Sequence, residues 1–315
     1  MPDPLPLVSV ITPSFNQGAF IRTTIESVLS QDYPTLEYIV IDGGSTDDTL
    51  DVLRSYDNRF TWVSESDRGQ SHAINKGFAR ASGEILAWLN SDDVYLPGAV
   101  SQSVAFLQAH PEIDLVYGDA QLIDAEGRII RPLVASKPFS LTNILTRFST
   151  LAQPSAFFRR RTLEQVGPLN ERLHYMMDFD FWLRIGLYGQ GRYLPGVRAQ
   201  MRFHPGSKSM SQETRFWVER RGLLDEIFAR PDLPAEALAA RREAYAHCEL
   251  YWGDNLLREG RRAEARSHLW YALRQHPRLR RRLLALALWV DAQFNTPFAA
   301  LGRRLRDLTV GPPQP

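Results

Sequence analysis

Apolar residues gather in short runs through the first part of the chain. Residues 8–12, 37–42, 60–64, 85–89 and 114–117 are apolar or β-branched stretches of strand length, each suited to burial on at least one face of a sheet. Between the first four lie stretches of a different period. Residues 18–31, 47–56 and 70–82 place apolar side chains at helical spacing, as Phe20, Ile21, Ile25, Val28 and Leu29 do in the first. Ser45 and Thr46 stand ready to cap the second, and a further helix is expected over 97–110. Strands alternating with helices through short connections predict right-handed crossovers and an α/β fold, a mostly parallel sheet covered by helices on both faces.

Such a sheet takes ligands in the crevice beyond the carboxyl ends of its strands. The residues falling there are 13–16, 42–46, 65–70 and 90–93, polar loops carrying acids or glycines. From about Pro231 the pattern turns to Ala, Leu, Glu and Arg at helical spacing, with Pro231, Asp232 and Pro234 marking a boundary. A catalytic domain over 1–230 and a helical, Arg-rich extension over 231–315 are therefore predicted. Within the extension, Trp252, Gly253, Gly260, Ala263, Ala265, Ala272 and Pro277 resemble one tetratricopeptide-type hairpin, fewer than the three or so that such arrays need.

Charge changes the picture at one end. Residues 258–315 hold twelve Arg against two Glu and two Asp, a net +8 in a chain whose total is +1. A globally basic nucleic-acid binder is not indicated, and no nucleic-acid partner is expected. The apolar run 283–290, flanked by Arg280–Arg282 and by Arg303, Arg304 and Arg306, reads either as a core helix with solvated arginines or as an interfacial helix on anionic lipid through 279–306. Cys248 is the only cysteine, so no intramolecular disulfide forms. The start lacks a basic stretch leading into an apolar one, and no run approaches the roughly 18 apolar residues of a membrane span. The expected location is cytoplasmic, peripheral at the inner face of the plasma membrane if the basic segment meets lipid.

Asn90-Ser91-Asp92-Asp93 follows an apolar run and sets two adjacent carboxylates at the mouth of a central strand. Mg²⁺ or Mn²⁺ takes one or two protein carboxylates and completes its shell with water and substrate phosphate, so the pair suits a metal–diphosphate complex; helix capping by Asp93 is the competing reading. In Asp42-Gly43-Gly44-Ser45-Thr46-Asp47 the glycines let backbone approach a ligand while Asp42 accepts from a base imide or a ribose hydroxyl. A turn followed by a cap is the alternative there. The first strand–helix turn lacks G-x-G-x-x-G and the chain lacks G-x-x-x-x-G-K-[ST], which argues against dehydrogenases and P-loop enzymes. A nucleotidyltransferase would want a basic first loop, and 8–16 holds neither Lys nor Arg.

Val-Ser-Val-Ile-Thr-Pro-Ser-Phe-Asn, Ile-Asp-Gly-Gly-Ser-Thr-Asp, Asp67-Arg68-Gly69 with Ala73-Ile74-Asn75-Lys76-Gly77, and Asn-Ser-Asp-Asp follow one another in the chain. In that order and spacing they resemble the family 2 glycosyltransferases of the GT-A fold, over about residues 7–210. The resemblance implies that Thr12, Pro13, Asn16, Asp42 and Ser45 hold the nucleoside, with Asp67 and Lys76 in the same donor site. It implies that Asp92 and Asp93 serve ribose, diphosphate and metal, Asp93 as the direct ligand, and that in the closing loop Arg202-Phe203-His204-Pro205-Gly206-Ser207-Lys208-Ser209 His204 reaches the metal or diphosphate while the basic residue neutralises phosphate. Asn90 stands where many relatives have Asp, which removes a third carboxylate.

Asp178, in Tyr175-Met176-Met177-Asp178-Phe179-Asp180, matches the catalytic base, with Met177 where a Glu commonly precedes it and Asp180 in reserve; both acids otherwise cap the helix that follows. Gln153 sits where relatives shape the acceptor pocket, and Asp180 is expected beside the acceptor too. The implied activity is inverting, metal-dependent transfer of a single sugar from a nucleotide-diphosphate sugar, UDP by resemblance, since the QxxRW signature of processive synthases is absent. The basic tail favours a lipid-linked oligosaccharide of a bacterial surface polymer as acceptor, with a glycan or a small molecule as the alternatives. A catalytically inactive nucleotide-sugar-binding or scaffolding protein is the alternative, and the intact acids Asp42, Asp92, Asp93 and Asp178 weigh against it.

Overall fold

The computed structural model describes residues 4–56, 58–135, 138–147, 151–207 and 213–294. It opens with β1 (Val8–Ser14), α1 (Ile21–Leu29), β2 (Leu36–Asp42), α2 (Thr49–Arg54), β3 (Thr61–Ser64), α3 (Gln70–Arg80) and β4 (Ile85–Trp88). This is the alternation that the hydrophobic pattern predicts. β1 pairs in parallel with β2 and β4, and β2 with β3, which gives the order β3-β2-β1-β4.

Beyond β4 the sheet becomes mixed. β5 (Val94–Tyr95), α4 (Ala99–Ala109), β6 (Leu115–Ile123), β7 (Ile129–Leu133), β8 (Phe157–Arg159), α6 (Arg160–Val166), α7 (Met177–Tyr188) and β9 (Gly191–Arg202) complete this part, with α5 (Leu141–Thr146) between β7 and β8. β8 runs antiparallel between β4 and β6, β9 lies parallel to β6, and β5 closes the edge antiparallel to β9. The run expected at 114–117 is the start of a strand that continues to Ile123. β9 carries no clear strand pattern because Gly191, Pro195 and Gly196 interrupt it and much of its length is half-exposed.

Val10, Val40, Ala87 and Val116 from the strands and Ile21, Ile25, Val28, Val104 and Leu107 from α1 and α4 are buried together. The other face is aromatic. Trp88 stacks on Trp182 at 5.4 Å and meets Phe78, Phe158 and Phe181 edge-on at 6.0–6.2 Å, so β4 is gripped by α7 two residues before the acid loop begins at Asn90.

The described residues fall into two compact units, 4–140 with 151–204, and 141–147 with 205–207 and 213–294. The second contains α5, α8 (Glu213–Phe228), α9 (Ala235–Ala239), α10 (Arg241–Arg258), α11 (Arg262–Gln275) and α12 (Leu279–Phe294). It thus begins ahead of the boundary expected at Pro231 and takes in α8 and a segment from between β7 and β8. Its core joins Leu250, Leu256, Leu269, Leu284 and Leu288. At Gly253 a Cβ would stand 2.6 Å from Leu269 Cγ, so glycine permits the close crossing of α10 and α11. Arg220, fully buried, donates to the carbonyls of Leu145 and Arg147 at 3.3 and 2.7 Å, tying α8 to α5, and burial lowers its pKa to about 10. No helix among the described residues is long and apolar enough to cross a membrane.

Trp88→Ala removes the ring that four aromatic side chains pack against, and is expected to cost about 3–5 kcal/mol in urea unfolding.

Candidate active site

The loops at the carboxyl ends of β1 to β4 are laced together one to the next. Asn16 adopts a left-handed conformation with φ +53°, which a short polar side chain tolerates. There its backbone N–H donates to Ser45 Oγ at 2.7 Å, and its side-chain oxygen accepts from the Thr46 N–H at 2.9 Å. Asp42, fully buried, accepts through Oδ2 from the N–H groups of Gly44 and Ser45 at 3.0 and 2.9 Å and from Ser64 Oγ at 2.7 Å, while its Oδ1 accepts from Ser45 Oγ. Its carboxylate is thus largely occupied in shaping its own loop. Thr12 Oγ1, also buried, takes the Tyr38 hydroxyl at 3.1 Å, and Pro13 is buried beside it.

A Cβ at Gly43 would stand 2.5 Å from Asp67 Oδ2, so the second loop lies directly on the third. Asp67 Oδ1 accepts from the Gly69 N–H at 2.7 Å. Lys76 pairs with Glu65 at 3.0 Å and donates to the Ser66 carbonyl at 3.2 Å, steadying the loop that holds Asp67. From the first turn of α3, Gln70 Nε2 reaches Asn90 Oδ1 at 2.7 Å, and Ser71 Oγ contacts Met177 Sδ at 3.1 Å. One helix turn therefore joins the acid loop to the start of α7, where Asp178 stands.

Asn90 is the hub of the acid loop. Besides accepting from Gln70, its Nδ2 donates to Asp93 Oδ2 at 3.1 Å and to Gln153 Oε1 at 3.2 Å, and Gln153 Nε2 donates to the Trp88 carbonyl at 2.8 Å. An aspartate could not make those donations, which gives a physical reason for the amide here. Asp93 is 2% exposed; its Oδ1 accepts the Arg202 N–H at 2.9 Å and its carbonyl accepts Thr24 Oγ1 at 2.7 Å. Burial, followed by the charge of Asp92, pushes its pKa well above the usual carboxylate value, against the opposing donations of Arg202 and Asn90. His204 Nε2 lies 3.2 Å from Asp92 Oδ2, and Phe20 packs between His204, at 4.5 Å between rings, and the Arg202 guanidinium, at 5.2 Å.

Asp178 is half-buried at the start of α7, accepts the Phe179 N–H at 2.7 Å, and is raised by desolvation to a pKa of about 6. Asp180 has a different place. Two residues on, it faces another side of the helix and pairs through Oδ2 with Arg184 at 2.8 and 3.0 Å, while Arg184 also holds the carbonyls of Val166 and Gly167. The geometry uses Asp180 to clamp α7 to the end of α6. Gln153, 8% exposed, has its amide engaged by Trp88 and Asn90 and supports the acid loop from beneath.

Arg202 is the residue whose part the sequence left unread. Its guanidinium donates to the carbonyls of Asp92, Asp124 and Ala125 at 2.9–3.0 Å while its backbone fixes Asp93. Backbone donation leaves no mark in a sequence; only the nearness of Arg202 to His204 pointed to this segment. Lys208 lies outside the described residues.

The acid loop fits a divalent cation. Asp93 is a hard oxygen donor, its anion disfavoured by burial and by Asp92 and favoured by the charge of Arg202, whose Nε and Nη1 are engaged by carbonyls. Asp93, Asp92 and His204 would hold Mn²⁺ or Mg²⁺. As they stand, neither these three nor any other group of three or more His, Cys, Asp or Glu among the described residues is arranged to hold an ion. An ion held by one or two of these carboxylates would need diphosphate and water to complete its shell.

A mixed α/β sheet with nucleotide-type loops at its carboxyl edge and an acid pair at the end of β4 is the GT-A architecture of glycosyltransferases. The chain belongs to glycosyl transferase family 2, whose family model matches residues 9–167. It is 30% identical over 221 residues to a glycosyltransferase of Rickettsia felis, a match covering 65% of this chain and 36% of that protein. A PGL/p-HBAD biosynthesis glycosyltransferase of Mycobacterium bovis is 30% identical over 184 residues, covering 57% of this chain and 69% of the relative. The chain thus spans little more than a third of the length of the Rickettsia felis relative. Among solved structures, S. aureus TarS 1-349 in complex with UDP-GlcNAc superposes with a TM-score of 0.63 at 19% identity, over 96% of this chain and 87% of that one. The mannosyltransferase PcManGT from Pyrobaculum calidifontis, in complex with GDP-Man and Mn²⁺, gives 0.62 at 21% identity, over 99% and 83%.

Asn90→Asp tests the hub. It removes the donor to Asp93 and adds a like charge beside it, so the new carboxyl has a raised pKa in the folded state. The penalty is then absent below the unfolded carboxylate value of about 4 and grows as pH rises through it. Urea unfolding without metal is expected to show a loss against wild type of about 1–3 kcal/mol at about pH 7.5, shrinking toward about pH 4.5.

Proposed function

We propose that this chain transfers a single sugar, with inversion, from a nucleotide-diphosphate sugar to an acceptor hydroxyl, with Mn²⁺ or Mg²⁺ at Asp93, Asp92 and His204. The observation that carries the reading is the chain of contacts from Asn16 through Ser45, Gly43 and Asp67 to the first turn of α3, where Gln70 reaches Asn90 and Ser71 reaches Met177. It gathers a loop suited to a nucleoside, an acid pair suited to a diphosphate, and a carboxyl of raised pKa around one sheet edge. Complexes of structural neighbours with UDP-GlcNAc and with GDP-Man and Mn²⁺ support hexosyl donors and a divalent ion, and UDP remains the nucleotide favoured by resemblance.

Asp178 acts as the base. With a pKa of about 6 it is mostly ionised at neutral pH, yet basic enough to take the acceptor hydroxyl proton as that oxygen attacks the anomeric carbon. Attack from the face opposite the departing nucleoside diphosphate inverts the anomeric centre in one displacement. The carboxyl-edge loops orient the donor, and Asn90 with Arg202 keeps Asp93 in place. The bound cation would supply charge stabilisation to the leaving diphosphate. The acceptor is a glycan or lipid-linked hydroxyl, and synthesis of a bacterial surface polysaccharide or glycoconjugate is the setting favoured by resemblance and by the relative named for PGL/p-HBAD biosynthesis.

Calorimetric titration with a panel of nucleoside diphosphates, with and without Mn²⁺, is expected to show metal-dependent binding of one nucleotide that Asp93→Ala abolishes. No binding under any condition would transfer the reading to a scaffolding protein. Asp178→Asn is expected to lower kcat by about 10²–10⁴ while nucleotide affinity holds. In wild type, kcat/KM should fall toward tenfold per pH unit below about 6 as Asp178 takes up a proton.

A further inference from the structure

Helix α12 is apolar on two opposite faces. At 100° per residue, Leu284, Ala285, Leu288 and Ala292 turn into the core of the second unit, none more than 5% exposed. Leu279, Leu283, Leu286 and Phe294 lie on the opposite side, exposed at 68%, 52%, 41% and 65%, with Val290 half-buried among them. A helix in water ordinarily keeps its outer face polar, and a contiguous apolar strip on a surface marks a place where something else binds. On the neighbouring helix α11, Trp270 is 45% exposed and its ring lies 5.5 Å from that of Trp289, so the strip has an aromatic edge.

Positive charge flanks it. Arg280 is exposed, Arg274 lies over the Trp270 ring at 5.9 Å and Arg282 donates to the His276 carbonyl at 2.8 Å, while Arg281, on the core-facing side, donates to the Tyr251 hydroxyl at 2.7 Å. Among the described residues none of these four pairs with a carboxylate, whereas Arg278 does so with Glu243 at 2.7 Å. Their field is felt nearby: burial and then Arg281, Arg278 and Arg282 lower the His276 pKa to about 4. A second copy of this chain is a poor occupant, because a two-fold contact would set this group of arginines against its equivalent.

We propose that the α11–α12 face docks on an anionic lipid bilayer. Leu279, Leu283 and Leu286 with Trp270 enter the boundary between headgroups and acyl chains, and Arg274, Arg280 and Arg282 meet lipid phosphates. Trp270 and α11 widen the surface beyond the segment expected from sequence, of which residues 295–306 lie outside the described part. This inference does not rest on the transfer reading, since no donor, acceptor or metal enters its test.

The test is co-sedimentation of the full chain with vesicles of phosphatidylcholine alone and with vesicles also containing phosphatidylglycerol. Partitioning into the anionic vesicles is expected to exceed that into neutral ones by about tenfold or more and to weaken as salt is raised. The double variant Leu283→Glu with Leu286→Glu, at exposed positions that spare the core, should abolish it, and Arg280→Ala should lower it about fivefold. A second measurement needs no charged variant: acyl chains carrying bromine should quench wild-type tryptophan fluorescence, and less so in Trp270→Phe. Equal binding to both vesicles, binding to neither, or undiminished binding by the double variant overturns the proposal. So does a dimer, seen by light scattering, that the double variant dissolves while the wild type ignores lipid.

Discussion

A carboxylate as deeply buried as that of Asp93, beside a second carboxylate at Asp92, is costly to fold around, and much of the first unit is arranged to offset that cost. One side of the answer comes from β4, whose following residue pair ends in Asn90 and whose amide can donate where an acid could not. The other comes from β9, whose last residue, Arg202, offers its backbone N–H. Thr24 of α1 holds the Asp93 carbonyl, and Gln153, just ahead of β8, holds Asn90. The acid loop can keep its shape only if α1 and both halves of the sheet are in place. A divalent cation bound there would add to the positive charge of Arg202, which already favours the Asp93 anion against burial and Asp92.

This dependence explains what the sequence revealed and what it hid. Strands β1 to β4 are continuous apolar runs separated by amphipathic helices, so the parallel half of the sheet and the loops at its carboxyl edge could be read from periodicity alone. The acid pair was visible because two adjacent carboxylates after an apolar strand are hard to explain as mere surface. β9 was not, because glycine and proline break its pattern and its pairing is decided by distant strands. Arg202 went unread for a related reason: it fixes Asp93 through its main chain.

Other residues were seen in place but with another partner in view. Asp180 and Asp178 are near neighbours in sequence, yet two residues along a helix point apart, and Arg184 claims Asp180. Gln153, expected at the acceptor, also holds the acid loop through Asn90 and the Trp88 carbonyl. Asp42 is turned into its own loop, where four donations shape the turn that carries Gly43 and Ser45. In the second unit the composition change near Pro231 marked the Arg-rich helices but not α8, whose buried Arg220 belongs with α5, a segment that sequence order places far upstream. Helical periodicity locates helices without revealing which core they join.

The proposed transfer needs Asp92 and Asp93 to form an incomplete cation site that a nucleoside diphosphate completes. The most direct test is a Mn²⁺ titration of the whole chain followed by electron paramagnetic resonance, with and without the cognate nucleoside diphosphate. The protein alone is expected to bind Mn²⁺ weakly and to bind it much more tightly when the nucleotide is present. Tight Mn²⁺ binding without nucleotide, or binding that the nucleotide leaves unchanged, would contradict that expectation.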